Sequence, residues 1–210
     1  MTIAGLILAG GRAQRLGGGD KPLTLLGGRP ILERLVAVIS PQVSALALSA
    51  NGEPERFAAF GLPVLPDPLP DYPGPLAGLL AGLEWASGLT GVKALLSVAG
   101  DTPFLPADLA SRLSLAGAPA AIAGSGGRRH PVIGLWDVSL AGELRRFLVE
   151  EDQRKAGFWA ERAGAVTVEW SDLPFDPFFN INRPGDLDLA QEMMEQWSGT
   201  AGGGKRTDHA

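Results

Sequence analysis

Apolar runs of strand length alternate with helix-period segments along the N-terminal half of the chain. Ile3–Leu8 is a continuous apolar run that leads into alanine and paired glycines, the pattern of a strand buried on both faces. Pro30 suits the first turn of a helix whose inner face carries Leu32, Leu35, Val36 and Ile39. Ser44–Asn51 alternates and predicts a second strand. Glu55–Phe60 predicts a short helix closed by Gly61, and Leu62–Leu65 a third strand. A helix from Pro75 to a capping Gly88, an apolar strand over Lys93–Asp101 and a helix over Pro106–Leu115 follow in turn.

The C-terminal half is less regular. Ala120–Ala123, Val132–Trp136 and Ala165–Trp170 predict strands, while Leu140–Glu151 and Gly185–Trp197 predict helices. The alternation implies βαβ units in an α/β fold, a three-layer sandwich around a mostly parallel, Rossmann-like sheet. No repeat or linker divides it, so residues 1–197 are expected to form one domain. Ser198–Ala210 is Gly-rich and polar and is expected to be a disordered tail.

Composition narrows the function classes. At 210 residues, 45% hydrophobic and 20% charged, the chain can bury one substantial core. A net charge of -5 argues against a nucleic-acid partner, which normally meets a basic face. An anionic ligand must then be held by local cations and backbone N–H groups. With no cysteine, disulfide and thiolate chemistry are excluded. The apolar opening lacks a basic region and no run is long enough to span a bilayer, so the expectation is a cytoplasmic protein without a membrane partner.

The segment "LILAGGRAQRLGGGDK" (Leu6–Lys21) places glycines and cations directly after the first strand. In open α/β sheets ligands bind outside the carboxyl ends of the strands. Leu8, Ala9, Gly10 and Gly11 offer closely approachable backbone, and successive N–H groups there can form an anion-binding concavity. Arg12, Arg15 and Lys21 add positive charge. The dinucleotide fingerprint fails because Arg12 stands where its second glycine belongs, and the Walker loop fails because Lys21 lies between Asp20 and Pro22. A turn with a solvated cationic surface is the bland alternative at this point.

The same segment resembles the N-terminal signature of the molybdenum cofactor guanylyltransferase family: L-A-G-G, a spaced arginine, methionine-glycine, then D-K. Leu16 replaces the methionine, a volume-conserving change. Three further segments match in order: "LPDPLPDYPGPLAGLLAGL" (Leu65–Leu83), "VAGDTPFLP" (Val98–Pro106, with Gly100 where cysteine is common) and "FFNINRPGDL" (Phe178–Leu187). "RRHPVIGLW" (Arg128–Trp136) also resembles the family. The resemblance covers nearly the whole chain.

What the resemblance implies is a sheet of the nucleotide-diphospho-sugar transferase type and transfer of GMP from GTP to molybdopterin or molybdenum-molybdopterin, with release of pyrophosphate. Lys21 and Asp101 are the implied catalytic pair, Lys21 neutralising the leaving phosphates and Asp101 holding Mg²⁺ (or Mn²⁺) at the strand end, with Asn182 as a second ligand. GTP would meet Leu8, Ala9, Gly10, Gly11, Arg15, Lys21, Ser49, Asn51, Asp67, Gly78 and Asp101. Asp67 can accept from guanine N1–H and the exocyclic amine; Ser49 stands where asparagine is frequent, leaving the contact between it and Asn51 open. Arg128, Arg129 and His130 form a candidate anion patch for the pterin end, with Asn180 and Asn182 nearby on one side of an extended segment. Cofactor-insertion proteins and molybdoenzyme chaperones are the implied protein partners.

Competing readings keep the fold and change the chemistry. A molybdopterin cytidylyltransferase would use CTP, but its loop typically reads L-A-A-G and lacks G-P-L-A-G. A sugar-phosphate nucleotidyltransferase is usually longer. A regulatory nucleotide binder need not keep Lys21, Asp101 and Asn182 together.

Overall fold

The computed structural model describes residues 1–10, 20–69 and 74–201, with side chains through residue 195. Its centre is β1 (Thr2–Leu8), which pairs in parallel with β4 (Ala45–Ser49) on one side and β6 (Val92–Ala99) on the other. A strand so placed must be apolar on both faces. Leu6 and Ile7 are accordingly both fully buried, packed into different clusters on opposite faces.

Seven strands form one sheet in the order β5-β4-β1-β6-β8-β7-β9, where β5 is Val64–Leu65, β7 Ala120–Ser125, β8 Arg128–Asp137 and β9 Val166–Trp170. β8 alone runs against its neighbours β6 and β7; the other pairings are parallel. Helices α1 (Ile31–Ile39) and α3 (Leu109–Leu115) pack into the cluster on one face, with Ile7, Leu96 and Val98. On the other face α2 (Pro75–Ser87), α4 (Ala141–Val149) and α5 (Ala156–Arg162) pack with Leu6, Leu95, Trp136 and Trp159. The result is the expected three-layer α/β sandwich. α2 lies unusually close to the sheet: a Cβ at Gly82 would stand 2.5 Å from Leu6 Cδ2 and 2.9 Å from Leu95 Cδ2. That approach carries the N-terminus of α2 to the strand ends.

Several elements depart from the sequence expectation for identifiable reasons. "LLGGRP" forms a hairpin of β2 (Leu25–Leu26) and β3 (Arg29–Pro30), whose turn needs positive φ at both Gly27 and Gly28, 60° and 76°. The Glu55–Phe60 helix is a 3₁₀ segment over Pro54–Phe60, closed by left-handed Gly61 as expected. The helix expected from Pro106 starts at Leu109. β8 is longer than Val132–Trp136 because it continues through Pro131. That proline falls where the register slips between Ile122 and Ala123, so its missing N–H removes no ladder bond. α5 was not expected; seven residues are too few to show a period, yet it buries Trp159 completely. The closing helix α6 is Pro184–Ala201, running past Trp197; residues 202–210 of the expected tail lie outside the described residues.

Candidate active site

β1 and β6 end side by side, with Leu8 opposite Ala99, and the Gly100 N–H donates to the Leu8 carbonyl at 3.0 Å. A Cβ at Gly100 would stand 2.8 Å from that carbonyl oxygen and 2.8 Å from Pro22 Cγ. Glycine at this position therefore lets the 3₁₀ turn Lys21–Leu23 pack onto the strand ends. The following residue, Asp101, emerges at the sheet edge as the strand pattern predicted.

Two side chains from distant parts of the chain bond to it, and a third joins through Lys21. Lys21 Nζ donates to Asp101 Oδ2 at 3.2 Å and to Asn182 Oδ1 at 2.5 Å, while Asn180 Nδ2 donates to Asp101 Oδ1 at 3.3 Å. The Lys21 and Asp101 side chains are 18% and 17% exposed, so the pair is only partly screened. The asparagines arrive because the Ile181 N–H donates to the Asp101 carbonyl at 2.9 Å and the Ile181 side chain is fully buried. Beyond them, Asp186 Oδ2 accepts from the N–H groups of Asn182 and Arg183, both at 2.8 Å. This is a reach-back cap at the start of α6.

An open cleft of about 390 Å³ runs from this cluster along the strand ends. Leu8, Gly10, Lys21 and Asp101 line one end. The Ala9 side chain is buried and its N–H donates to the Ser49 carbonyl at 2.8 Å, so that N–H is already engaged. Gly11, Arg12 and Arg15 lie outside the described residues. At the other end Asn51 and Asp67 grip each other, Asn51 Nδ2 donating to Asp67 Oδ2 (2.7 Å) and Asp67 N–H to Asn51 Oδ1 (2.9 Å). Burial pushes the Asp67 carboxyl above its ordinary value of 3.8, against the opposing hydrogen bond from Asn51. Ser49 is 3% exposed and its side chain abuts Gly78, where a Cβ would collide with it and stand 3.0 Å from Leu8 Cδ2. The first turn of α2 thus forms a flat wall, and the helix N-terminus presents its positive end to the cleft.

The expected anion patch is split. Arg129 pairs with Glu161 of α5 at 3.5 Å, in the layer of Trp159. His130, the next residue of the strand, faces the opposite layer and lies 4.9 Å, centroid to centroid, from the Phe178 ring. Arg128 is exposed at the start of β8 and depresses the His130 pKa through its charge. Burial lowers that pKa most; Asp176 and Glu169 work against it. Ser125 Oγ donates to Asp176 Oδ1 at 2.7 Å and is 2.8 Å from His130 Nε2. Ser125 ends β7 and Asp176 lies in the loop after β9, so their hydrogen bond joins segments that no motif in the sequence connects.

The oxygen donors suit a small, hard cation. Asp101 supplies a carboxylate and Asn182 an amide oxygen, and among the described residues no group of three His, Cys, Asp or Glu side chains could hold a metal alone. A magnesium-type ion commonly binds one or two carboxylates and completes its shell with phosphate and water. Among the described residues, no helix is long and apolar enough to cross a membrane.

The family model of the MobA-like NTP transferase domain matches residues 5–166. A molybdenum cofactor guanylyltransferase of Mesorhizobium japonicum is 50% identical over 200 residues, covering 92% of this chain and 96% of that protein. Another of that name, from Bradyrhizobium sp. (strain ORS 278), is 49% identical over 197 residues, covering 91% and 93%. The structure of molybdopterin-guanine dinucleotide biosynthesis protein A from Archaeoglobus fulgidus superposes with a TM-score of 0.72 at 25% identity, over 92% of this chain and 99% of that one. The sheet is thus of the nucleotide-diphospho-sugar transferase type. The chain belongs to the MobA-like NTP transferase family and is a nucleotidyltransferase of molybdenum cofactor biosynthesis.

Proposed function

We propose that this chain transfers GMP from GTP to molybdopterin or molybdenum-molybdopterin. An oxygen of the pterin's terminal phosphate attacks the α-phosphorus of GTP, the bond from that phosphorus to the β-phosphate oxygen breaks, and pyrophosphate leaves. The observation that carries this reading is the meeting of Lys21, Asp101 and Asn182 at one end of a cleft whose other end holds the Asn51–Asp67 pair.

In the free site Lys21 balances the Asp101 carboxylate and keeps it beside Asn182. Incoming phosphates offer that ammonium stronger acceptors, and it is the group that offsets charge on the departing pyrophosphate. A divalent cation, Mg²⁺ or Mn²⁺, held by Asp101 and Asn182 would neutralise phosphate charge further. Asp67, fixed by Asn51, accepts from guanine N1–H and its amine. The flat wall of Gly74, Pro75 and Gly78 takes the purine face. Asn180, with Arg128 and His130 at the start of β8, borders the acceptor side. Little covalent participation by protein is needed; positioning and charge do the work.

The test is to incubate the protein with the pterin acceptor, Mg²⁺ and each of the four nucleoside triphosphates, then identify the dinucleotide formed. GTP should exceed CTP by a large factor in kcat/KM, up to roughly 10⁴-fold for a site that pairs with the base edge. Equal turnover of the two would sink the guanine assignment and leave the fold untouched.

A further inference from the structure

Arg56 belongs to no motif in the chain, yet its guanidinium joins the two loops that bracket the cleft. Nη2 donates to the Asn51 carbonyl at 2.5 Å and Nη1 to the Glu53 carbonyl at 2.5 Å. Nε lies 2.6 Å from Asp20 Oδ2, an ion pair rather than an aligned hydrogen bond. The guanidinium carbon stands 4.6 Å from the centroid of the Phe57 ring, which is fully buried and fixes one side of the group. Arg56 and Asp20 are 26% and 22% exposed at their side chains, so the pair is sheltered but within reach of water.

The partners matter more than the pair. Asn51 is the residue that grips Asp67 at the base end. Asp20 immediately precedes Lys21, whose ammonium meets Asp101 at the phosphate end. A continuous line of contacts therefore runs Asp67, Asn51, Arg56, Asp20, Lys21, Asp101. Gly52, at φ +85°, turns the backbone between the two carbonyls that Arg56 holds. Two carbonyls that accept from the terminal nitrogens, with a carboxylate beside Nε, suit a planar guanidinium; a lysine ammonium is a point charge on a flexible stem and lacks the fork.

We propose that Arg56 is a positioning residue that sets the spacing between the base-reading pair and the phosphate-binding lysine. Recognition of the base at Asp67 then places the triphosphate correctly at Lys21. The inference rests on the reading of Asn51–Asp67 as the base-recognition pair. Without Arg56 the base is still bound, but its contacts no longer align the α-phosphorus. A misplacement of about 1 Å can cost on the order of 10²-fold in rate.

The experiment compares GTP with ITP, which lacks the exocyclic amine, in transfer to molybdopterin by the full-length protein. Arg56→Met should lower kcat with GTP by about tenfold or more, and the GTP:ITP ratio in kcat should fall toward one. Arg56→Lys should recover only a small part. Asp20→Asn, which cuts the other end of the same link without touching the arginine, should give the same split. The double variant should be little worse than either single one, as expected of residues acting through one contact. A thermal melt accompanies each variant. If Arg56→Met and Asp20→Asn lower only the melting temperature and leave the GTP:ITP ratio in kcat intact, Arg56 is a loop staple and the proposal is overturned. Asp67→Asn separates the two levels. If that variant keeps wild-type GTP:ITP discrimination, the base-reading assignment itself fails, whatever Arg56 does.

Discussion

Asp101→Asn removes one charge at the meeting point of Lys21, Asn180 and Asn182 while keeping size and shape. The replacement amide has a single oxygen, which can accept from Lys21 or from Asn180 Nδ2 but not from both, so one of the two hydrogen bonds is lost along with the charge. Because both members of the ion pair retain some exposure, solvent screening limits the loss to about 1 kcal/mol. For a chain of this size that shifts the melting temperature by about 2–4 °C. The effect on transfer should be much larger. Removing a preorganised charge costs on the order of 10²-fold, or about 2.7 kcal/mol of transition-state stabilisation. The assay is GMP transfer at limiting and saturating Mg²⁺, with a thermal melt on the same preparations. Mn²⁺ should restore part of the rate. Normal turnover of Asp101→Asn at low magnesium would refute the reasoning and move the cation to Asp67 or Asn182.

Other perturbations test separate steps. The folded protein raises the Asp67 pKa, so it holds that proton more tightly than the unfolded chain, and stability falls as pH rises from about 3.8 through the folded value. Asp67→Asn should therefore raise the melting temperature at neutral pH while eroding guanine selectivity; an unchanged or lower melting temperature contradicts this. His130 is shifted the other way: its contribution is complete above about pH 6.5 and declines as pH falls through the lowered folded value. Urea unfolding between about pH 5 and 7 should show a shallower acid-side decline in His130→Gln, and parallel curves would dismiss the linkage. Gly100→Ala drives a Cβ onto the Leu8 carbonyl and Pro22, so about 1–3 kcal/mol of stability and much of the transfer rate should be lost together. Retention of both would show that the turn carrying Lys21 can shift freely.

The sheet was legible because its central strands are buried on both faces and therefore read as unbroken apolar runs, Ile3–Leu8 and the run before Asp101. A helix of barely two turns and strands of two residues are too short to establish a period. This hid α5 and the β2–β3 hairpin, although paired Gly27–Gly28 is itself a hairpin signal. Within the site, Lys21, Asp101, Asn180 and Asn182 stood in motifs and converge as a group. Arg129 and His130 are adjacent in the sequence, but neighbours on a strand face opposite layers, and Arg129 pairs with Glu161. Arg56 and Ser125 meet partners roughly 5 to 50 residues away, a relation that spacing in one sequence does not reveal.

The central claim is that the α-phosphoryl group of GTP moves, with its nucleoside, onto the pterin phosphate. The direct measurement uses two preparations of GTP, one labelled at the α-phosphate and one at the γ-phosphate, each with molybdopterin, Mg²⁺ and the full-length protein. The account predicts that α-label appears in a pterin–guanine dinucleotide and γ-label in pyrophosphate, in equal amounts. Label from the γ-phosphate on the pterin, or α-label that stays in GTP or free GMP, would contradict it.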